Sequence, residues 1–416
     1  MLIPYNFLLK LNIFKDFFYR KKIEQNCDYI AKNKKKVLKR LKDKKILKVA
    51  FYVYDSCKWK CQTIYDEMLE NSRFEPLILV TKNSAKNIDN PSYQSQEEII
   101  ETFEFFKKRA MKVELAYDFE KDKHIPFEKF TPDIIIYQHP WYVETSQGPV
   151  VCSKFALTAY VPYDIATTTL PLEYNLRFYQ YVQNYYLIND KLKEFYSPLM
   201  DNKGINLKAV GAPSLDILYN TKDVLEKDSK YVIYAPHWTI NHEKTIAYST
   251  FKENGEFILE YAKKHSDLNW VFKPHPMLKK AILDNNYMTN SEVEEYYHAW
   301  EELGKACYDG NYFELFKNSQ LMITDCCTFL IEYFATGNPL IRLVSNDAPE
   351  YNINSKEVIK NYYNIESNDE LEKILDLILI QKQDLMKEQR ELAAGQFKTN
   401  ATENIINDLL KQIAED

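Results

Sequence analysis

The segment Leu321–Val344 constrains the fold of this chain more than any other stretch. It contains a short apolar run, a polar corner at residues 324–328, a helical pattern and a second apolar run that begins after Pro339. Gly337 stands where the helical pattern ends, and glycine commonly terminates helices. Because strand, corner, helix and strand together form a βαβ unit, the segment predicts a parallel sheet covered by helices.

The same alternation extends over most of the chain. Apolar runs predict strands at 46–54, 74–80, 113–117, 134–137, 155–161, 185–188, 207–210, 231–234, 270–272, 321–323 and 340–344. Helical patterns predict helices at 61–69, 251–264, 312–318, 369–392 and 401–413. The charged stretch Thr221–Lys230 lacks periodicity, so we place a domain linker there. We predict basic amphipathic helices in 1–45, a first Rossmann-like domain in 46–220 and a second in 221–416 that ends in helices.

Composition agrees with a two-domain globular protein. A chain of 416 residues exceeds one ordinary core, and its eight glycines leave no GxGxxG or Walker loop. The seven cysteines are odd in number and irregularly spaced, with no secretory signal ahead of them, which predicts reduced thiols in a cytoplasmic protein. No apolar run approaches the roughly 18 residues of a transmembrane helix.

Residues 1–48 are strongly basic, with fifteen Lys and Arg against four Asp and Glu, whereas the whole chain has a net charge of −6. The segment is also rich in Leu, Phe and Tyr. A basic, aromatic-rich helix suits an anionic membrane, so residues 1–45 predict a peripheral position at the inner face of the cell membrane. The alternative is a docked helix followed by a solvated Lys-rich helix over Asn33–Lys45. Nucleic acid is not an expected partner, because the rest of the chain is acidic and shows no recognition module.

Candidate functional residues follow predicted strands of the second domain. His237 comes after the first strand, Lys273 and His275 after the second, and the corner 324–328 after the third. Because the carboxyl ends of parallel strands meet at one edge, we expect these residues to converge and to face His139, which follows the strand 134–137. One histidine after a strand is usually structural, but a convergent set favours a ligand site.

These residue types suit a phosphorylated ligand. Lys273 supplies a positive charge, and both histidines of the second domain can donate hydrogen bonds or move a proton near neutral pH. The hydroxyl groups of Thr324 and Thr328 and the backbone N–H groups of 327–329 stand where a helix begins, which favours an anion. Asp325 has an alternative role as the N-cap of that helix.

Glu332, Cys326 and Cys327 of the same unit also need an interpretation. Glu332 lies one turn inside the helix, where it can accept hydrogen bonds from a ribose diol or be an ordinary surface carboxylate. Cys326 and Cys327 are interpreted as small side chains that permit close approach of a ligand. Neither they nor the pair Cys57 and Cys61 have the spacing of a metal site, so no metal is predicted.

These motifs resemble the CDP-glycerol glycerophosphotransferase family of teichoic-acid and capsule synthesis. The resemblance covers most of the second domain and rests on Tyr234-Ala235-Pro236, Phe272-Lys273-Pro274-His275-Pro276 and Thr324-Asp325-Cys326-Cys327-Thr328 with Glu332. Cys326, Cys327 and Thr328 stand where the family usually has Tyr-Ser-Ser. In the first domain, only His139 matches the family's His-Gly-Thr-Pro loop.

The resemblance implies a GT-B-like α/β fold, in which two doubly wound Rossmann-type domains face an interdomain cleft, with a basic N-terminal helical extension and C-terminal helices. It also implies transfer of a polyol phosphate from a CDP-activated donor to a hydroxyl of a polysaccharide or lipid-linked acceptor, with release of CMP and no cofactor. His139 is then the general base of an acceptor-side first domain. His237, His275, Lys273, Cys327 and Thr328 hold the donor diphosphate, and no metal is needed to bind it.

Two alternatives remain open from the sequence. A GT-B glycosyltransferase that uses a nucleotide sugar in capsule or lipopolysaccharide synthesis needs the same diphosphate site. A non-catalytic protein of surface-polymer assembly can keep the fold without the chemistry, although the retained Lys273 and Pro-flanked histidines argue against it.

Overall fold

The computed structural model describes residues 5–85, 93–226, 230–241, 247–306, 312–397 and 400–415. The chain divides into two compact units. The first comprises Met1–Tyr163, Pro171–Pro213 and Asn400–Asp416, and the second comprises Asp164–Leu170 and Ser214–Thr399. Each is an α/β unit with a parallel sheet at its centre.

The first unit is built on a sheet whose strand order reverses beside its first strand. Its strands are β1 (Leu47–Val53), β2 (Phe74–Val80), β3 (Val113–Leu115), β4 (Tyr117–Asp118), β5 (Lys123–His124), β6 (Ile134–Tyr137), β7 (Leu157–Tyr160), β8 (Asn184–Leu187) and β9 (Leu207–Ala209). Among the described residues, seven of them pair in parallel in the order β3-β2-β1-β6-β7-β8-β9, and β4 with β5 forms a separate antiparallel pair. The central strands are continuous apolar runs because helices cover both faces of the sheet.

The helices before the second unit are α1 (Tyr5–Leu41), α2 (Gln62–Glu70), α3 (Gln96–Lys107), α4 (Pro149–Cys152), α5 (Arg177–Tyr181) and α6 (Asp190–Tyr196). The apolar residues of α2 and α3 pack with the alternate apolar side chains of β1, β2 and β6 into one hydrophobic core.

The second unit repeats this plan with six strands in its described part. They are β10 (Tyr231–Ala235), β11 (Trp270–Phe272), β12 (Lys305–Ala306), β13 (Ser319–Thr324), β14 (Leu340–Leu343) and β15 (Tyr363–Ile365). They pair in parallel in the order β12-β11-β10-β13-β14-β15, the doubly wound order, so the prediction of a Rossmann-type parallel sheet is confirmed.

The helices of this part of the chain are α7 (Pro213–Asn220), α8 (Phe251–Lys264), α9 (Leu278–Asp284), α10 (Asn290–Leu303), α11 (Phe313–Lys317), α12 (Cys327–Phe334), α13 (Ile353–Ile359), α14 (Asn368–Leu375) and α15 (Lys387–Ala394). The predicted βαβ unit is present as β13, α12 and β14. Gly337, three residues after α12, has a φ of +73°, a left-handed conformation that glycine adopts without strain.

Helix α1 is docked on the first unit along its second half. Ile23, Ile30, Val37 and Leu41 are buried on one face of the helix. Asp133, at the start of β6, accepts hydrogen bonds from Arg40 Nη2 at 3.3 Å, from Lys44 Nζ at 2.5 Å and from the backbone N–H of Lys48 at 2.9 Å. The alternative of a solvated Lys-rich helix over Asn33–Lys45 is therefore wrong, because Val37, Leu38 and Leu41 of that stretch are buried in the first unit's core. The side chains of residues 1–18, which carry most of the aromatic part of the membrane prediction, lie outside the described residues.

The C-terminal helix α16 (Ala401–Glu415) belongs to the first unit, whereas the sequence placed it in the second. Its apolar face, formed by Ile405, Ile406, Leu409 and Ile413, is buried in the first unit's core. Asp408 accepts hydrogen bonds from Lys208 Nζ at 2.6 Å and from the Tyr186 hydroxyl at 2.8 Å. The division between the units also falls at Pro213 and Ser214, earlier than the predicted 220.

The short segment Asp164–Leu170 belongs to the second unit. The backbone N–H of Thr169 donates to the carbonyl of Glu350 at 2.9 Å, and that of Asn352 donates to the carbonyl of Thr167 at 2.9 Å. None of the helices in the described residues is long and apolar enough to cross a lipid bilayer.

Candidate functional site

The second unit brings most of the candidate residues to one edge of its sheet. β10 and β13 are neighbours at the point where the strand order reverses, and ligands of doubly wound folds bind at the carboxyl ends of strands at this point. His237 follows β10 by two residues, Lys273 directly follows β11, and Asp325 directly follows β13. The rings of His237 and His275 meet with their centroids 5.1 Å apart. The predicted convergence of these strand ends is therefore present.

Asp325 holds the loops around this edge together. Its carboxylate accepts hydrogen bonds from the backbone N–H of His237 at 2.6 Å and from the backbone N–H and hydroxyl of Thr250 at 2.7 and 3.2 Å. Burial raises the pKa of this carboxyl to about 6, while the same hydrogen bonds act to lower it. The N-cap of α12 is Cys326, so the alternative role of Asp325 as that cap is wrong.

The two histidines are held in the same tautomer. The Nδ1 atom of His275 accepts from the backbone N–H of Met277 at 3.1 Å, and that of His237 faces the backbone N–H of Thr239 at 3.4 Å and its hydroxyl at 2.9 Å. Because Nδ1 accepts, the proton of each neutral ring is assigned to Nε2. Burial lowers the pKa of His237 well below its usual range, and the neighbouring His275 lowers it further. His237 is therefore a neutral Nε2–H donor at neutral pH.

Lys273 belongs to a buried polar cluster that the sequence did not predict. The residue is 5% exposed, and its Nζ lies over the Tyr312 ring, 5.4 Å from the centroid. The Tyr312 hydroxyl donates to Glu332 Oε2 at 2.5 Å. Glu332 is fully buried, so the reading of it as a surface carboxylate is wrong, and its proposed contact with a ribose stays a prediction. Tyr312 thus contacts a buried ammonium through its ring and a buried carboxylate through its hydroxyl.

The start of α12 is shaped by Thr324. Its hydroxyl donates to the carbonyl of Ala235 at 2.6 Å and accepts from the backbone N–H of Cys326 at 2.9 Å. This hydroxyl is fully buried and makes both hydrogen bonds within the protein, so Thr324 positions the start of the helix. The sequence instead predicts that it contacts a phosphate. The half-buried Cys327 and Thr328 form the first turn, with Sγ and Oγ1 3.9 Å apart.

Neither Cys326 nor Cys327 forms a disulfide within the residues that the structure describes. Burial raises the pKa of the Cys326 thiol well above its usual value, so it behaves as a small apolar side chain. In the described part of the chain, no group of three His, Cys, Asp or Glu side chains is arranged to hold a metal ion.

Arg342 and Tyr351 also lie at this edge and were missed by the sequence reasoning. Arg342 is paired in register with Thr324, and its guanidinium carbon lies 5.5 Å from the centroid of the Tyr351 ring. Its Nε donates to Asn364 Oδ1 at 2.6 Å. Burial raises the pKa of Tyr351, whereas Arg342 acts to lower it. The available signal was a single arginine inside the apolar run that became β14.

His139, in the first unit, follows β6 at that unit's own reversal point. The ring is fully buried, with its centroid 4.2 Å from that of Tyr54 and 5.4 Å from that of Tyr163. Lys58 Nζ lies over both tyrosine rings. Neither ring nitrogen of His139 has a hydrogen-bond partner among the described residues, and Gln138 Nε2 beside it also has none there. Burial, with a smaller effect of Lys58, lowers the pKa of His139 well below its usual range.

Comparisons with known proteins agree with this fold. No family model matches the chain, and no curated protein matches it either. A UDP co-structure of MnaA from S. aureus is 11% identical, with a TM-score of 0.59 over 89% of this chain and 98% of that chain. UDP-GlcNAc 2-epimerase from Neisseria meningitidis bound to UDP-GlcNAc is 14% identical, with a TM-score of 0.51 over 88% of this chain and 100% of that one.

A structure of the wall teichoic acid polymerase TagF with CDPG is similar over the whole chain. It is 16% identical, with a TM-score of 0.51, and the match covers 100% of this chain and 99% of that chain. The architecture is therefore GT-B-like, as predicted. A teichoic acid polymerase among the structures of similar fold is consistent with the family resemblance of the sequence motifs.

Proposed function

We propose that this chain is a transferase that moves a polyol phosphate from a CDP-activated donor to a hydroxyl group of a cell-surface polymer acceptor and releases CMP. The observation that carries the proposal is the convergence of His237, His275 and Lys273 beside the start of α12, at the reversal point of the second sheet. The order and identity of the motifs that supply these residues add support.

The donor diphosphate is the ligand that best suits this edge. Lys273 supplies a positive charge, the Nε2 atoms of His237 and His275 supply hydrogen-bond donors, and the first turn of α12 supplies backbone N–H groups with the positive end of the helix dipole. The hydroxyl of Thr328 and the thiol of Cys327 stand in that turn. Donors fixed before the reaction stabilise the charge that develops on the phosphoryl and leaving oxygens.

The reaction is an in-line displacement at the phosphorus atom that carries the polyol. An acceptor hydroxyl oxygen forms the new P–O bond, the P–O bond to CMP breaks, and a base takes the hydroxyl proton. We assign that base to His139. Its imidazole is neutral at neutral pH, and its ring nitrogens have no hydrogen-bond partner among the described residues, so it is able to accept a proton from a ligand. Positioning of the two substrates supplies much of the rate.

A donor screen tests the proposal. Purified protein is incubated with a polysaccharide or lipid-linked acceptor and with CDP-glycerol, CDP-ribitol, UDP-, GDP- or CMP-linked sugars, and the released nucleotide is quantified. Release of CMP from a CDP-polyol is expected. Release of UDP or GDP alone would contradict the proposal and indicate a glycosyltransferase. One observation favours this second candidate: Cys327 stands where the resembled family usually has a hydroxyl-bearing serine. Absence of turnover and of any nucleotide-induced thermal shift would indicate a non-catalytic protein.

Two additions to the screen test the assigned roles. His139→Ala should abolish turnover while leaving donor binding unchanged, and intact turnover would remove the assignment of the base. Addition of EDTA should leave donor binding unchanged, because the proposal assigns the diphosphate to protein donors.

A further inference from the structure

A groove of about 770 Å³ opens beside His275 in the second unit. One wall is the loop Pro274–Pro276 after β11, and the other is the face of α10 that carries Tyr297 and Glu301. A volume of this size falls within the range of small-molecule sites. The groove is therefore large enough for part of a substrate.

The α10 wall is fixed in place before any ligand binds. The ring of Trp300 stacks on that of Phe272 in β11, with centroids 5.1 Å apart and an interplanar angle of 11°. The Tyr296 hydroxyl donates to the carbonyl of Gly255 at 2.9 Å, and Thr289 begins the helix with a capping box. A preformed wall lowers the entropic cost of binding.

The chemistry of the walls favours an uncharged, hydroxylated ligand. Two prolines and the nearly buried Tyr297 ring offer apolar surfaces for C–H groups. Glu294, Glu295 and Glu301 line the same groove, and its one lysine, Lys279, already pairs with Glu294 at 2.8 Å. These carboxylates can accept hydrogen bonds from hydroxyl groups but repel a phosphate.

His275 connects this groove to the diphosphate edge. Its ring packs against His237 at 5.1 Å, and the same residue lines the groove. A ligand with its diphosphate at His237, His275 and Lys273 is thus able to extend its uncharged end between the Pro274–Pro276 loop and α10. We propose that the groove binds the polyol moiety of the donor and that Glu295 and Glu301 select for its hydroxyl groups. This inference rests on the proposed diphosphate site.

Calorimetric titration of the full chain with CDP and with CDP-ribitol tests the inference, because the two ligands share the nucleotide and the diphosphate. The double variant Glu295→Ala/Glu301→Ala should weaken binding of CDP-ribitol by at least about fivefold and change the Kd of CDP by less than about twofold. The matched control, Glu256→Ala/Glu260→Ala, removes two exposed glutamates from α8, outside the groove, and should alter neither Kd.

The outcomes separate the two proposals. If the wild-type protein binds both ligands and the groove variant weakens both equally, or weakens neither, the groove assignment is wrong and the proposed transferase stands. If the wild-type protein binds neither ligand, the proposed CDP-linked donor is wrong and the groove assignment falls with it.

Discussion

His139 and His237 are buried imidazoles that follow strands of different sheets, and their ring nitrogens differ in hydrogen bonding. His237 is oriented by Thr239, whereas the nitrogens of His139 have no hydrogen-bond partner among the described residues. A buried polar group without a partner carries a desolvation cost of about 1–3 kcal/mol. Proteins retain such groups at functional sites, which supports the assignment of His139 to substrate contact.

The buried ring of His139 predicts a pH-dependent stability. Its folded-state pKa lies below that of the unfolded chain, near about 6.5, so the unfolded state binds more protons in acid and stability is lost as the pH falls. When the pH falls from 7.5 to 5.5, the free energy of unfolding of the wild-type protein should decrease by about 1.4 kcal/mol more than that of His139→Gln. Urea unfolding at both pH values measures this difference. The exposed His298→Gln is the control and should follow the wild-type curve. Identical losses for wild type and His139→Gln would contradict this account.

Asp325 predicts a second effect at the residue scale. In Asp325→Asn, an NH₂ group replaces an oxygen that accepts from His237 or Thr250, so a donor then faces a donor. The free energy of unfolding should fall by about 1–3 kcal/mol in urea titrations. Asp284→Asn removes a carboxylate from an exposed ion pair with Lys280 and should change the same quantity by less than about 0.5 kcal/mol. Equal effects of the two substitutions would show that the buried hydrogen bonds are unimportant.

At the scale of elements, α16 should contribute to the stability of the first unit despite lying at the far end of the sequence. Leu409 is fully buried in that unit's core, so Leu409→Ala should destabilise the protein by about 2–5 kcal/mol. Leu392→Ala makes the same chemical change at a residue that is 79% exposed in α15 and should cost less than about 0.5 kcal/mol. Urea unfolding of both variants gives the comparison, and a small effect at Leu409 would place α16 outside the core.

Helix α1 allows the membrane prediction to be tested without unfolding the protein. Removal of residues 1–45 would delete Val37, Leu38 and Leu41 from the core. Loss of liposome binding would then have two explanations, namely unfolding of the first unit or removal of the membrane-binding segment. Removal of residues 1–18 retains these side chains and the contacts of Asp133. We expect the shorter deletion to keep its thermal unfolding transition and to lose binding to anionic liposomes in a flotation assay. Unchanged binding would contradict the membrane prediction.

Elements with strong local periodicity were predictable from the sequence, and those defined by distant contacts were not. The runs that became β1, β2, β6 and β11 are mostly apolar on both faces, which is typical of buried parallel strands. β15 was missed because Asn364 is exposed between two buried residues and the strand is only three residues long. The position of α16 was missed because an amphipathic pattern does not say which core covers it.

The candidate site shows the same division. His237, His275 and Lys273 were found because residues that follow predicted strands must meet at one edge. The pairing of Tyr312 with Glu332, and of Arg342 with Tyr351, joins elements through side-chain contacts that no spacing rule encodes. Thr324 was assigned to a ligand because its hydroxyl stands at a helix start, and only the structure shows that both of its hydrogen bonds are internal.

At the scale of the whole molecule, the two units share one architecture but carry different residues at the strand ends where the strand order reverses. Both sheets are doubly wound and reverse their strand order beside their first strand. In the first unit, aromatic rings and a neutral histidine occupy the strand ends at the reversal, whereas the second unit has a lysine, two histidines and a helix start there. This asymmetry supports a division of labour in which the second unit binds the anionic part of the donor.

The most direct test of this account is calorimetric titration of CDP into the wild-type protein, Lys273→Met and Lys280→Met. Lys273→Met removes the buried charge at the strand end, and Lys280→Met removes a charge from the exposed face of α9. The wild type and Lys280→Met should bind CDP equally, and Lys273→Met should bind at least about tenfold more weakly, since hydrogen bonds to charged groups contribute about 1.5–3 kcal/mol. Equal binding by all three proteins, or no binding by the wild type, would contradict the assignment of the nucleotide diphosphate to the second unit.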